Sequence, residues 1–106
     1  MSVGELIGIL IDRTPTYSIK KATVVYNEGY IVNSAFESID DGYLLRGEIL
    51  SQDLISTYKS SITLNSVIWS VRDTSCTCKD FEKNSSKKNY RCKHINAILL
   101  AALFEC

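Results

Sequence analysis

Four side chains near the C-terminal end of the sequence can ligate a metal at short, paired spacings. Cys76 and Cys78 are one residue apart, thirteen residues follow, and Cys92 and His94 are again one residue apart. A disulfide between Cys76 and Cys78 would be badly strained at that separation, and the second pair cannot form one. His94 is the only histidine of the chain, so its place two residues after a cysteine carries weight. Zinc takes four ligands tetrahedrally and prefers thiolate and imidazole donors. Cys76, Cys78, Cys92 and His94 therefore read as one structural zinc site. The competing reading is a set of buried thiols beside a surface histidine.

Four protein donors leave no open position for water or substrate, which separates a structural from a catalytic zinc. Three thiolates also donate enough charge to make the metal a poor Lewis acid. There is no second histidine to act as a base, and the Ser, Asp and Glu residues fall into no triad spacing. An enzyme is not expected, nor is a small-molecule substrate. The zinc is expected to hold the C-terminal half folded, so that chelation or Cys76→Ser melts it.

Clustered thiols are metal ligands mainly where they stay reduced. The apolar run Leu6–Ile11 has neither a basic flank nor a small-residue cleavage site, so it is not read as a secretory signal. No stretch reaches the roughly 18 apolar residues of a membrane-spanning helix. The expected location is intracellular, cytoplasmic or, in a eukaryote, nuclear.

The pattern C-x-C, a variable loop, then C-x-H resembles the SWIM-type zinc finger. The likeness runs beyond the ligands. The segment SVIWSVRDTSCTCKDF is similar to the strand that leads into the family's C-x-C, with an Asp-Phe pair after it, and CKHINAILLA is similar to its closing helix. Ala97, three residues after His94, matches the C-x-H-x-x-A form of Shu-type recombination accessory proteins. The resemblance implies a role in DNA recombination or repair and, for the Shu-type form, pairing with a recombinase paralogue. The loop between the ligand pairs departs from the family in being long and lysine-rich.

Charge is distributed unevenly. The chain has twelve basic and twelve acidic residues and no net charge. Residues 79–93 hold six basic residues against two acidic ones, a net +4, which leaves the remainder at −4. The basic side chains are Lys79, Lys83, Lys87, Lys88, Arg91 and Lys93, with Tyr90 and Phe81 among them. Lysines can neutralise phosphates, and aromatic rings among them can stack on bases. Lys79, Lys83, Lys87, Lys88, Tyr90, Arg91 and Lys93 are thus the candidate nucleic-acid contacts. A solvated loop, with Phe81 packed into the core, is the competing reading.

The elements that must position these residues fit one domain, 1–106. Residues 1–28 read as a helical lead-in, 30–72 as antiparallel strands, and 73–106 as the zinc finger with its closing helix. Ser2 and Glu5 have capping-box spacing ahead of a helix over 3–12, with strand as the competing reading of its isoleucine-rich run. Residues 17–28 combine a helical face (Ile19, Ala22, Thr23, Tyr26) with β-branched content. Gly29 sits where a C-terminal cap would, which favours helix. Strands are expected at Tyr30–Ser38, Tyr43–Leu50, Ser61–Leu64 and Val67–Arg72, with turns at IDDG and Asn65-Ser66. In the last strand Val67, Trp69 and Val71 share a face, with Trp69 as core. Residues 93–104 form a helix whose apolar stripe is Ile95, Ile98, Leu99, Ala102 and Leu103, extended by Cys106. The fold class is α+β: a small antiparallel sheet, N-terminal helical segments, and a C-terminal helix clasped by zinc.

Two functions fit. One is a DNA-associated binding module acting through the basic loop. The other is a protein–protein adaptor or homodimer, using an apolar surface such as Leu6, Ile7, Ile9, Leu10 and Ile11.

Overall fold

The computed structural model describes residues 2–51, 53–87 and 90–105. Helix α1 (Val3–Asp12) starts at a serine N-cap: Ser2 Oγ accepts from the Glu5 amide at 3.1 Å and donates to the Glu5 carboxylate. This is half of the expected capping box, with a side-chain bond in place of the return to the Ser2 amide. Helix α2 (Thr16–Asn27) follows Pro15, whose fixed φ and missing N–H suit a helix start. It ends at Gly29, where φ is +78° and Tyr30 N–H returns to Val25 O at 3.2 Å. That left-handed position is what made glycine a stop signal in the sequence.

Four antiparallel strands follow as a meander, in the order β1 (Ile31–Ile39), β2 (Gly42–Leu50), β3 (Thr57–Asn65) and β4 (Ser70–Cys76). Asp40 and Asp41 make the β1–β2 turn, with Ile39 paired to Gly42. Alternation puts Phe36, Leu45, Ile62 and Leu64 on one face, of which Leu45, Ile62 and Leu64 are buried. The opposite face carries Arg46, Glu48, Lys59 and Ser61, as expected of a sheet with one wet side.

The β3–β4 connection corrects one expectation. Val67, Ile68 and Trp69 are not in a strand; they form the loop, and β4 begins at Ser70. Asn65 Oδ1 accepts from the amides of Val67 (2.8 Å) and Ile68 (3.1 Å), an Asx turn that lengthens the connection. Trp69 then takes a φ of +49° and packs, half-buried, at the edge of the core. The β-branched pair looked like strand, yet Val67 is 73% and Ile68 70% exposed.

The short helix α3 (Lys79–Asn84) precedes α4 (Lys93–Glu105). Helix α4 is the middle layer of the domain. The sheet covers one side of it and α1 and α2 cover the other, so every residue from His94 to Ala102 is buried. A single apolar stripe was too narrow a reading of this helix. Its sequence is apolar nearly all round, which is the signature of a helix enclosed on both sides. Close approach to the sheet is possible at Gly47, where a Cβ would lie 2.3 Å from Ile98 Cδ1 and 2.9 Å from Asn33 O. Cys106 lies outside the described residues. No helix among the described residues is long and apolar enough to cross a membrane.

Candidate metal centre

Each ligand sits at the end of an element. Cys76 is the last residue of β4, paired across the sheet with Ser60. Sheet-like pairing continues one residue further, since Thr77 N–H reaches Lys59 O (3.1 Å) while Thr77 Oγ1 accepts from Lys59 N–H (3.0 Å). Thr77 is thereby turned outward and Cys76 and Cys78 inward. Cys78 is the N-cap of α3, and its sulfur accepts from the Phe81 amide at 3.3 Å. Cys92 directly precedes α4, and His94 lies in its first turn.

The four donor atoms converge within 4.8 Å of one another, and all four residues are buried. His94 Nδ1 is 3.8 Å from Cys76 Sγ and 3.9 Å from Cys92 Sγ. Zinc at about 2.3 Å from sulfur and about 2.0 Å from nitrogen needs tetrahedral edges of roughly 3.5–3.8 Å. The two His94–sulfur separations are close to these edges and the widest donor pair is at most about 1 Å longer, so the residues fit the ion with a small inward movement.

The electrostatics also ask for a cation. Hydrogen bonds from Cys92, His94 and Ser60 bring the Cys76 thiol down to about 4, against the opposing effect of burial. Cys92 is driven up by its hydrogen bond to Cys76 and by burial, and Cys78 by burial first and then by the Cys76 thiolate. Three thiolates cannot share this pocket without a positive charge between them. Zinc supplies that charge and releases the remaining thiol protons as it binds.

Sequence and geometry now meet in a single segment: residues 58–103 match the SWIM zinc finger family. This segment is a SWIM zinc finger. It takes in β3, β4, α3 and most of α4, so the finger comprises half of the sheet and the central helix. No curated protein and no solved structure matches the chain. The SWIM centre holds one structural zinc ion, with Cys76 at a strand end and His94 at a helix start as a clasp between the two elements.

Two supporting residues were invisible in the sequence. Ser60 is buried, and its hydroxyl lies 3.0 Å from Cys76 Sγ. The Tyr58 ring lies against the His94 imidazole, with centroids 4.7 Å apart. Both are set by the β3–β4 register, which no local spacing encodes; such contacts orient ligands in metal sites generally.

The candidate nucleic-acid residues separate into distinct environments. Lys79, Lys83 and Lys87 are exposed, and Lys93 is half-buried between the ligands Cys92 and His94. Lys88 lies outside the described residues. Tyr90 is half-buried: its hydroxyl donates to Asp80 at 2.8 Å, its ring faces Phe81, and Lys87 Nζ lies 5.7 Å from the ring centroid. Burial, and then Asp80, push the Tyr90 hydroxyl up to about 12. Phe81 packs against the core, as expected.

Arg91 turns inward. Its Nη2 donates to Thr14 Oγ1 at 2.8 Å and to Leu10 O at 3.4 Å, tying the finger to the end of α1. We expect Arg91→Gln to cost about 1–3 kcal/mol by removing this charged donor, while leaving one zinc per chain. Urea unfolding alongside metal analysis checks this. A variant that purifies with substoichiometric zinc would mean that Arg91 serves the centre instead.

Proposed function

We propose that the chain is a DNA-associated binding module in which the SWIM finger presents its basic segment to phosphate. The observation that carries this reading is the exposure of Lys79, Lys83 and Lys87 on and just after α3, a segment anchored by the Cys78 cap. The four ligands of the zinc cluster, which has a formal charge of about −1, are buried, while the lysines are exposed. Asp80 and Glu82 are exposed on the same short helix, so the net attraction for a polyanion rests on the excess of lysine over carboxylate along the loop. The reading is of a non-enzyme, because four protein donors close the metal. Participation in recombination or repair rests on the Shu-type form of the C-x-H-x-x-A motif.

Binding of this kind is weak, largely indifferent to sequence, and falls with salt as counterions are released. Fluorescence anisotropy with a labelled duplex across a salt series tests it. The expected result is a negative slope of log affinity against log salt that is shallower in the Lys83→Glu/Lys87→Glu double variant, with binding weakened at least tenfold. An unchanged slope in that variant would refute the loop's role.

The adaptor reading loses much of its first support. Leu6 and Ile7 are buried, and Leu10 and Ile11 pack against the core, which leaves Ile9, half-buried and outside the core cluster, as the one member of that set still available to a partner. What favours a partner contact instead is the exposed pair Val67 and Ile68 on the β3–β4 loop. Replacing both by serine separates the two readings, since it removes that apolar surface and leaves the lysines in place.

A further inference from the structure

A groove of about 690 Å³ runs between α2 and the finger. Its floor includes the metal ligands Cys78, Cys92 and His94, and its rim brings together Tyr17, Lys21, Lys79 and Lys93. Tyr17 and Lys21 come from a helix outside the finger, and nothing in their local sequence marks them. Tyr17 is 67% exposed, a large ring left open to solvent, with Lys21 Nζ 6.0 Å from its centroid.

Two unpaired polar groups lie along the same groove. Asn96 is only 2% exposed, yet its Oδ1 has no hydrogen-bond partner among the described residues. Arg91 Nη1 is likewise buried and, among the described residues, without a partner, although Nη2 is engaged. Buried polar groups are almost always paired in folded proteins, and leaving one unpaired costs about 1–3 kcal/mol. An acceptor and a donor waiting beside an open aromatic ring and three lysines describe a specific ligand. It has a flat face, hydrogen-bonding edges that both give and take, and negative charge on either side.

We propose that the groove receives an unpaired base of a single-stranded nucleic acid. The base stacks on Tyr17, an N–H of its edge is taken by Asn96, and the flanking phosphates lie over Lys21, Lys79 and Lys93. The zinc cluster beneath has a formal charge of about −1, which favours a neutral base at the floor and leaves phosphates at the rim. Asp80, the carboxylate of this wall, is already engaged by the Tyr90 hydroxyl and the Asn84 amide. A base within a duplex has its hydrogen-bonding edge paired and its faces stacked, so the groove discriminates for single strands. This inference rests on the nucleic-acid reading above and goes further by naming the form and the residues that select it.

The test uses the zinc-loaded full chain and anisotropy with a labelled mixed-sequence 12-mer, single-stranded or annealed. The wild-type protein is expected to prefer the single strand. Tyr17→Ala is expected to weaken single-strand binding about tenfold, given the usual worth of base stacking. Asn96→Leu, which keeps the side-chain volume, is expected to weaken it several-fold while leaving thermal stability unchanged or higher, because it removes a buried acceptor that makes no bond in the free protein. Duplex binding should be unmoved by either variant. Unchanged single-strand binding in both variants, or equal weakening on duplex, overturns the groove while leaving the lysine reading in place. Competition by a free mononucleotide as effective as the strand also overturns it, and makes the groove a small-molecule site. Failure of the wild-type protein to bind either form at low salt overturns both proposals.

Discussion

Replacing Cys92 by serine, or stripping zinc with a chelator, is expected to unfold the whole domain. The magnitudes decide this. Structural zinc sites contribute apparent binding energies of about 10 kcal/mol or more, against a total stability of about 5–15 kcal/mol for an ordinary domain. Loss of the metal also leaves buried thiols that repel one another once more than one is ionised. The damage spreads through α4. Cys92 and His94 anchor the start of that helix, and the helix is the layer on which the sheet, α1 and α2 all rest. An effect confined to the C-terminal half, as the sequence alone suggested, is therefore too narrow. Far-ultraviolet circular dichroism should show loss of most helical signal with chelator and recovery on adding zinc. A metal-free chain that keeps its signal and melting temperature would rule out a folding role for zinc.

The second large effect is expected at Leu99. This side chain is fully buried in the middle of α4, with Ile95 and Ile98 beside it. Leu99→Ala should cost about 2–5 kcal/mol, from lost burial and from the cavity left behind. For a chain of this size that lowers the melting temperature by on the order of 10 °C or more. Leu103, half-buried near the end of the same helix, provides the control. Leu103→Ala should cost clearly less. Equal losses at the two positions would contradict a helix enclosed on both sides at its centre and open at its end.

Those two effects mark what the sequence could and could not convey. Ligand identity was legible, because C-x-C and C-x-H spacings constrain donors whatever the rest of the chain does. The first two helices were only partly legible: the Ser2 cap and Gly29 are local devices that act in the structure as their chemistry requires, but the β-branched content of both segments left strand as the competing reading. Contacts set by tertiary arrangement were not. Nothing near Arg91 announces that it will turn towards Thr14, seventy-seven residues earlier. Helix α3 was missed because it is six residues long and owes its start to a cysteine cap rather than to a serine or aspartate. The Val67–Trp69 loop was misread because strand propensity measures fit to a half-buried surface, and Val67 and Ile68 project into solvent while Trp69 folds back on the core edge. The groove at Tyr17 was missed because its two walls come from distant parts of the chain.

Zinc K-edge absorption on the purified, metal-replete protein tests the central claim most directly, since it counts and identifies the donors. A closed clasp of Cys76, Cys78, Cys92 and His94 predicts one zinc per chain, with three sulfurs at about 2.3 Å, one nitrogen at about 2.0 Å, and no oxygen. An oxygen donor, fewer than three sulfurs, or a chain that purifies folded without zinc would contradict it.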